Sequence, residues 1–126
     1  MAAAEFAVVL PLFVTLFIGV NETCTALYLK EQVTIAAYEG ARVGIQRKST
    51  NAFVVNRVKE FLDERGVAYD AQRVVAISSP GFDTAQTMAH VTTTVTVPLE
   101  GNSLTGTFFT NQELSASVTM RKEFQN

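Results

Sequence analysis

The sequence predicts an α+β protein, in which a long apolar N-terminal helix is followed by a short helix packed on a small antiparallel β-sheet. Three observations predict this class. Residues 5–20 are almost wholly apolar, and residues 52–65 repeat apolar side chains at helical spacing. Residues 88–98 and 113–123 alternate apolar and polar side chains, which is typical of half-buried strands.

Composition excludes several function classes. The formal net charge is −2 and the basic residues form no clustered face, so we expect no direct nucleic-acid binding. Cys24 is the single cysteine and His90 the single histidine, which leaves no thiolate metal cluster and no base beside a nucleophile. No glycine-rich phosphate loop is present. We therefore expect no enzymatic activity, no cofactor and no metal site.

The apolar run approaches the length of a membrane span. Together with residues 2–4 it comes close to the ~20 residues that cross a bilayer. Phe6, Phe13 and Phe17, with the aliphatic residues between them, leave no polar face. A helix that is apolar all round must be surrounded by lipid or protein, and the remaining ~100 residues are too few to wrap it. We expect lipid or other subunits to cover it; a core helix or a re-entrant segment is the alternative.

Two residues of this segment are unusual. Glu5 places a carboxylate at the head of the apolar run, where an unpaired charge is costly, so it requires a partner. Pro11 removes one backbone hydrogen bond and predicts a kink or a locally melted turn. Such a proline fits either a tolerated kink in a single-pass anchor or a helix packed among copies of itself.

The helical signal continues through residues 21–47, which contain no proline, and we assign residues 1–48 to one long helix. Ala36, Gly40 and Gly44 are spaced by four and form a ridge of small residues on one face. This ridge allows close approach either of another subunit's backbone or of the chain's own globular domain.

Residues 49–126 form the predicted α+β head. Asn51 is the expected N-cap of a helix over residues 52–65, and Gly66 follows at the position where helices commonly end. The expected inner face of this helix consists of Val54, Val58, Phe61 and Leu62.

The rest of the head is predicted to be strands. Residues 73–78 form a short β-branched run that ends in a turn, and residues 104–109 are a candidate partner strand. With the two alternating segments they make three or four strands with one apolar face, which the short helix would cover. His90 lies in the first alternating segment, where we expect a surface or edge position.

Two motifs carry a family resemblance. Residues 2–11 (AAAEFAVVLP) and 36–42 (AAYEGAR) resemble the TadE-like family, which comprises pilins and pseudopilins of the tight-adherence (Flp) branch of type IV filaments. The resemblance covers roughly the first 45 residues and, more loosely, the final strand. Tyr38 departs from the pattern, since the family often has arginine there.

The resemblance implies an assembly chemistry. Family precursors are cut by a prepilin peptidase, which leaves a glutamate at mature position five, and Glu5 holds that position if Met1 is the first mature residue. Otherwise Met1 is a translation start. A processed α-amine would pair with Glu5 of a neighbouring subunit and set the axial register of the filament. The predicted assembly residues are Met1, Glu5 and Pro11, and the predicted helix-packing residues are Phe6, Phe13, Phe17, Ala36, Gly40 and Gly44.

The implied function is that of a structural pilus subunit in surface attachment. It would lie in the bacterial inner membrane before assembly and then on the cell surface. Its partners would be copies of itself, other pilins, the prepilin peptidase, and an assembly ATPase and platform. Two alternatives remain: a minor pseudopilin that primes or tips the filament, and a single-pass tether whose head binds a periplasmic partner.

Overall fold

The computed structural model describes residues 1–106 and 109–124 and confirms the predicted α+β layout. A long helix is followed by a short helix and a three-stranded antiparallel sheet. In chain order the elements are α1 (Ala2–Gly44), α2 (Asn51–Glu64), β1 (Val75–Ile77), α3 (Gly81–Thr84), β2 (His90–Pro98) and β3 (Glu113–Arg121).

Helix α1 is continuous over 43 residues, which corresponds to a length of about 65 Å. It passes through Pro11 without interruption, so of the two predicted alternatives the melted turn is wrong and the kink stays a prediction. Proline deletes a single hydrogen bond of the ladder, and the bonds of the neighbouring turns keep the backbone helical. The Thr15 hydroxyl donates to the Pro11 carbonyl at 2.8 Å, one turn along the helix.

The sheet has the order β1-β2-β3, with β2 in the centre. Val95 of β2 pairs with Val75 of β1 and with Ala116 of β3. The predicted alternation is confirmed, and Thr93 joins the valines of β2 on the buried face. The remaining threonines of β2 face the serines and threonine of β3 on the opposite side, where two hydroxyl pairs lie within 2.8 Å of each other.

The candidate strand over residues 104–109 is wrong where the structure describes it. Residues 104–106 and Phe109 form bends, and Thr107 and Phe108 lie outside the described residues. The Ser103 hydroxyl accepts from the Gly106 N–H, and the Thr105 N–H and hydroxyl donate to Glu22 of α1, so none of these hydrogen bonds pairs the segment with a neighbouring strand.

The N-cap of α2 is Thr50, not Asn51 as predicted. Thr50 has extended backbone angles, and its hydroxyl accepts from the Phe53 N–H at 3.4 Å. Asn51 is the first helical residue, and its side chain instead accepts from the N–H of Phe82 in α3 at 2.8 Å. Gly66 follows the helix with φ +65°, as its predicted position requires.

The core lies where the distal half of α1, which carries its buried residues from Glu22 to Gly44, crosses the sheet. Residues 2–21 are the proximal half. Helix α1 packs on β2 and β3, while α2 packs against α1 and contacts β1. The predicted inner face of α2 is confirmed, because its four buried residues are the four expected ones. The distal half of the long helix is thus part of the head, and its proximal half is not.

Candidate assembly surface

The proximal part of α1 lies outside the core. No residue in the most apolar stretch of this helix is buried, and the helix is long and apolar enough to cross a membrane. Phe6, Phe13 and Phe17 are each more than half exposed. A continuous surface of this size on one helix requires lipid or another protein to cover it.

Glu5 lies in the first turn of α1. Its backbone N–H donates to the Met1 carbonyl at 3.3 Å, which closes the turn. Its side chain is exposed and makes no hydrogen bond or salt bridge with the residues that the structure describes. The carboxylate is compatible with the positive end of the helix dipole and remains available to an outside partner.

A shallow apolar groove follows Pro11 along one side of the exposed helix. Gly19 lies in this groove, and a Cβ added there would meet nothing within 4 Å. Thr15 and Thr23 line the same groove, and each donates its hydroxyl to a carbonyl one turn back, at 2.8 and 2.9 Å. The two hydroxyls are therefore satisfied within the helix, and the groove is open and largely apolar.

The small-residue ridge has a different environment. A Cβ at Gly40 would lie 2.6 Å from Val58 of α2, and a Cβ at Gly44 would lie 2.6 Å from the ring of Phe82. Ala36 is fully buried in the same core. Of the two interpretations left open by the sequence, the structure supports docking under the chain's own head. Gly40 and Gly44 are small because α2 and Phe82 approach the helix closely.

One polar contact of α1 was missed by sequence reasoning. Glu22 is buried, and its Oε1 accepts from both the backbone N–H and the hydroxyl of Thr105, each at 2.6 Å. Its Oε2 has no partner among residues 1–106 and 109–124. The available signal was an isolated acid just beyond the apolar run, but nothing in the local sequence indicates a partner so far along the chain.

Lys122 was also missed. It follows β3 and is fully buried, and its Nζ donates to the carbonyl of Phe82. Its backbone N–H donates to Ala89 at 2.9 Å, and its carbonyl accepts from Met88 at 2.7 Å. These contacts hold the end of β3 against the segment that carries α3. They give Lys122 a structural role at the end of the head.

The described residues contain no group of three His, Cys, Asp or Glu side chains placed to hold a metal ion. His90 is exposed at the start of β2. The absence of a cofactor and of catalysis remains a prediction.

Comparison with known families addresses the long helix. Residues 1–42 match the family model of TadE-like proteins, which covers all of α1 except its last two residues. The N-terminal helix is TadE-like. This confirms the resemblance inferred from the two sequence motifs. No curated protein and no solved structure matches the chain. The functional proposal therefore rests on the TadE-like helix and its exposed proximal half.

Proposed function

We propose that this TadE-like protein is a structural subunit of a Tad (Flp-like) type IV pilus. One observation carries the proposal: the same helix is packed into its own head over its distal half, whereas no residue of its apolar proximal part, residues 2–20, is buried. A single-pass anchor needs an apolar segment only. A subunit that moves from lipid into a helix bundle needs the same segment to be continuous with a rigid head, and α1 provides this continuity.

Glu5 supplies the specific contact of this proposal. In a filament, the apolar segments of many copies form a central bundle and the heads form the outer surface. Glu5 of one copy pairs with the N-terminal amine of a neighbour, and the pair offsets the cost of removing either charge from water. Because a buried carboxylate without a partner is strongly unfavourable, the pairing selects one axial position for the incoming subunit.

Before assembly, the proximal helix lies in the inner membrane with the head outside the bilayer. Lipid tails and neighbouring apolar helices are similar surroundings, so transfer into the bundle has little hydrophobic driving force of its own. The proposal therefore includes an assembly platform and ATPase that drive extraction, a prepilin peptidase that generates the N-terminal amine, and surface attachment as the role of the pilus.

The test compares Glu5→Ala with a matched control, Glu31→Ala, which removes an exposed carboxylate from the same helix. We expect both variants in the membrane fraction at wild-type levels. Sheared surface filaments should contain the Glu31→Ala protein and should be depleted of the Glu5→Ala protein. A normal filament yield from Glu5→Ala would contradict the pairing.

Mass spectrometry of the intact protein from sheared filaments tests processing and abundance in the same sample. A processed N-terminus in an abundant filament protein supports the structural subunit. A trace amount relative to another pilin would assign the chain to a minor, priming or tip position. Absence from filaments, together with an unprocessed chain in membranes, would favour the tether.

A further inference from the structure

We propose that the loop of residues 103–106 is a second membrane contact, which places Leu104 in the lipid interface beside the TadE-like helix before assembly. The inference rests on the membrane-anchored state of the proposed function. It adds a lipid-facing site in the head, far along the chain from the helix.

The position of the loop along α1 is set by Glu22. Thr105 donates two hydrogen bonds to the Glu22 carboxylate, one from its backbone N–H and one from its hydroxyl. Glu22 lies two residues after Val20, the last residue of the apolar run, which is about 3 Å along the helix axis. The loop therefore meets the helix at the level where the apolar segment ends.

The burial of Ile18 supports the same placement. Among residues 1–20, all of which the structure describes, Ile18 alone is half-buried and the others are exposed. Ile18 lies one turn before Glu22 on the same face of the helix. Ile18 is therefore half-buried on the helix face that the loop contacts, and it lies within the apolar run itself.

Several polar groups of this loop and of the preceding Asn102 are hydrogen-bonded within the protein. The Asn102 side chain accepts from the Ala68 N–H at 2.7 Å and donates to the Ala68 and Pro98 carbonyls at 2.8 Å. The Ser103 hydroxyl accepts from the Gly106 N–H at 3.0 Å. Since unsatisfied polar groups are costly near hydrocarbon, this internal pairing suits a position at the membrane surface.

Leu104 is the apolar group that this loop presents, and its side chain is 69% exposed. The described helix offers few other interfacial anchors: no lysine or arginine precedes Lys30, and Tyr28 lies two turns beyond Val20. Interfacial anchoring commonly uses apolar side chains inserted at the boundary between headgroups and acyl chains. Leu104 supplies such a side chain on the side of the helix that the head covers.

Single tryptophans test the placement, because the chain contains no tryptophan of its own. Leu104→Trp, Phe17→Trp and Phe53→Trp replace side chains that are 69%, 69% and 58% exposed, so each substitution fits without repacking the core. The full chain is reconstituted in phosphatidylcholine vesicles that carry bromine near the carbonyl end of the acyl chains. The Phe17→Trp variant reports the depth of the membrane segment, and the Leu104→Trp variant reports the depth of the loop. The Phe53→Trp variant reports the side of the head that lies away from the membrane segment.

We expect bromine to quench the fluorescence of the Phe17→Trp and Leu104→Trp variants, with emission shifted to shorter wavelength. The Phe53→Trp variant should stay unquenched by bromine and accessible to aqueous acrylamide. If Phe17→Trp is quenched while Leu104→Trp behaves like Phe53→Trp, the loop contact is overturned and the membrane-anchored helix is left intact. An unquenched Phe17→Trp variant overturns the membrane anchoring itself, and with it this inference.

Discussion

Glu22 and Thr105 are 83 positions apart in the chain and meet through two hydrogen bonds of 2.6 Å to one carboxylate oxygen. The contact lies at the boundary between the buried and exposed halves of α1. It is where the head ends and the proposed assembly surface begins, and it attaches a loop of the head to α1 at that point.

Substitutions at this contact should show a graded effect. Glu22→Ala removes the acceptor of both hydrogen bonds, whereas Thr105→Ala removes the hydroxyl and keeps the backbone N–H. We expect the denaturation midpoint of the detergent-solubilised protein to fall more for Glu22→Ala than for Thr105→Ala. Glu22→Gln keeps a side-chain oxygen as acceptor, so its denaturation midpoint should fall least of the three. Equal midpoints for Glu22→Ala and wild type would show that the contact does not stabilise the head.

Two glycines of the same helix should respond in opposite ways to alanine. A Cβ at Gly40 overlaps Val58, so Gly40→Ala should lower the free energy of unfolding by about 1–3 kcal/mol. A Cβ at Gly19 meets nothing, so Gly19→Ala should be neutral or stabilising by up to about 1 kcal/mol through helix propensity. Chemical denaturation in detergent measures both. Combining Gly40→Ala with Val58→Ala should cost less than the sum of the single changes.

Lys122 should be replaceable by an apolar side chain of similar length. Its buried ammonium donates to one carbonyl and forms no salt bridge with the carboxylates that the structure describes. Lys122→Met keeps the stem and removes the charge, so we expect unchanged or higher stability, whereas Lys122→Ala should cost about 2–4 kcal/mol. Arg121→Met is an exposed control, expected within about 0.5 kcal/mol of wild type. If Lys122→Met is as unstable as Lys122→Ala, the ammonium rather than the stem stabilises this site.

We expect the protein to lose stability at alkaline pH when the Tyr69 hydroxyl ionises. Burial, together with its hydrogen bond to Asp63 at 2.9 Å, raises the pKa of the Tyr69 hydroxyl above the ordinary value of 10.0. The unfolded chain therefore ionises first: the stabilisation is complete below pH 10.0 and is lost as pH rises through the higher folded pKa. When unfolding is measured as a function of pH, the free energy of unfolding should fall less at alkaline pH for Tyr69→Phe than for the wild-type protein. An identical alkaline profile for the two proteins would contradict this assignment.

Much of the architecture could be predicted from local sequence patterns. The long helix, the inner face of α2 and the alternating strands β2 and β3 all follow from the spacing of apolar side chains. The exposed apolar surface of α1 could be predicted for the same reason, because a segment that is apolar on every face has no polar side to turn outward. The exposure of Phe6, Phe13 and Phe17 was therefore predictable without the fold, and the assembly role of Glu5 stays a prediction.

The cap of α2 could not be predicted in this way. Thr50 and Asn51 are both good capping residues, and the choice between them depends on Asn51 binding the Phe82 N–H in a distant segment. Residues 104–106 are similar: their composition suits a strand, but a carboxylate on α1 binds the backbone of Thr105.

By itself, the sequence determined the type and the apolar faces of α1, α2, β2 and β3 and the TadE-like character of α1, since these properties depend on residues within one or two turns of each other. Only the tertiary structure decided that Gly40 and Gly44 serve the chain's own head, that Glu22 binds Thr105, and that Lys122 holds the end of β3. Each of these depends on which distant surfaces meet, and a spacing pattern within one segment carries no information about its partner.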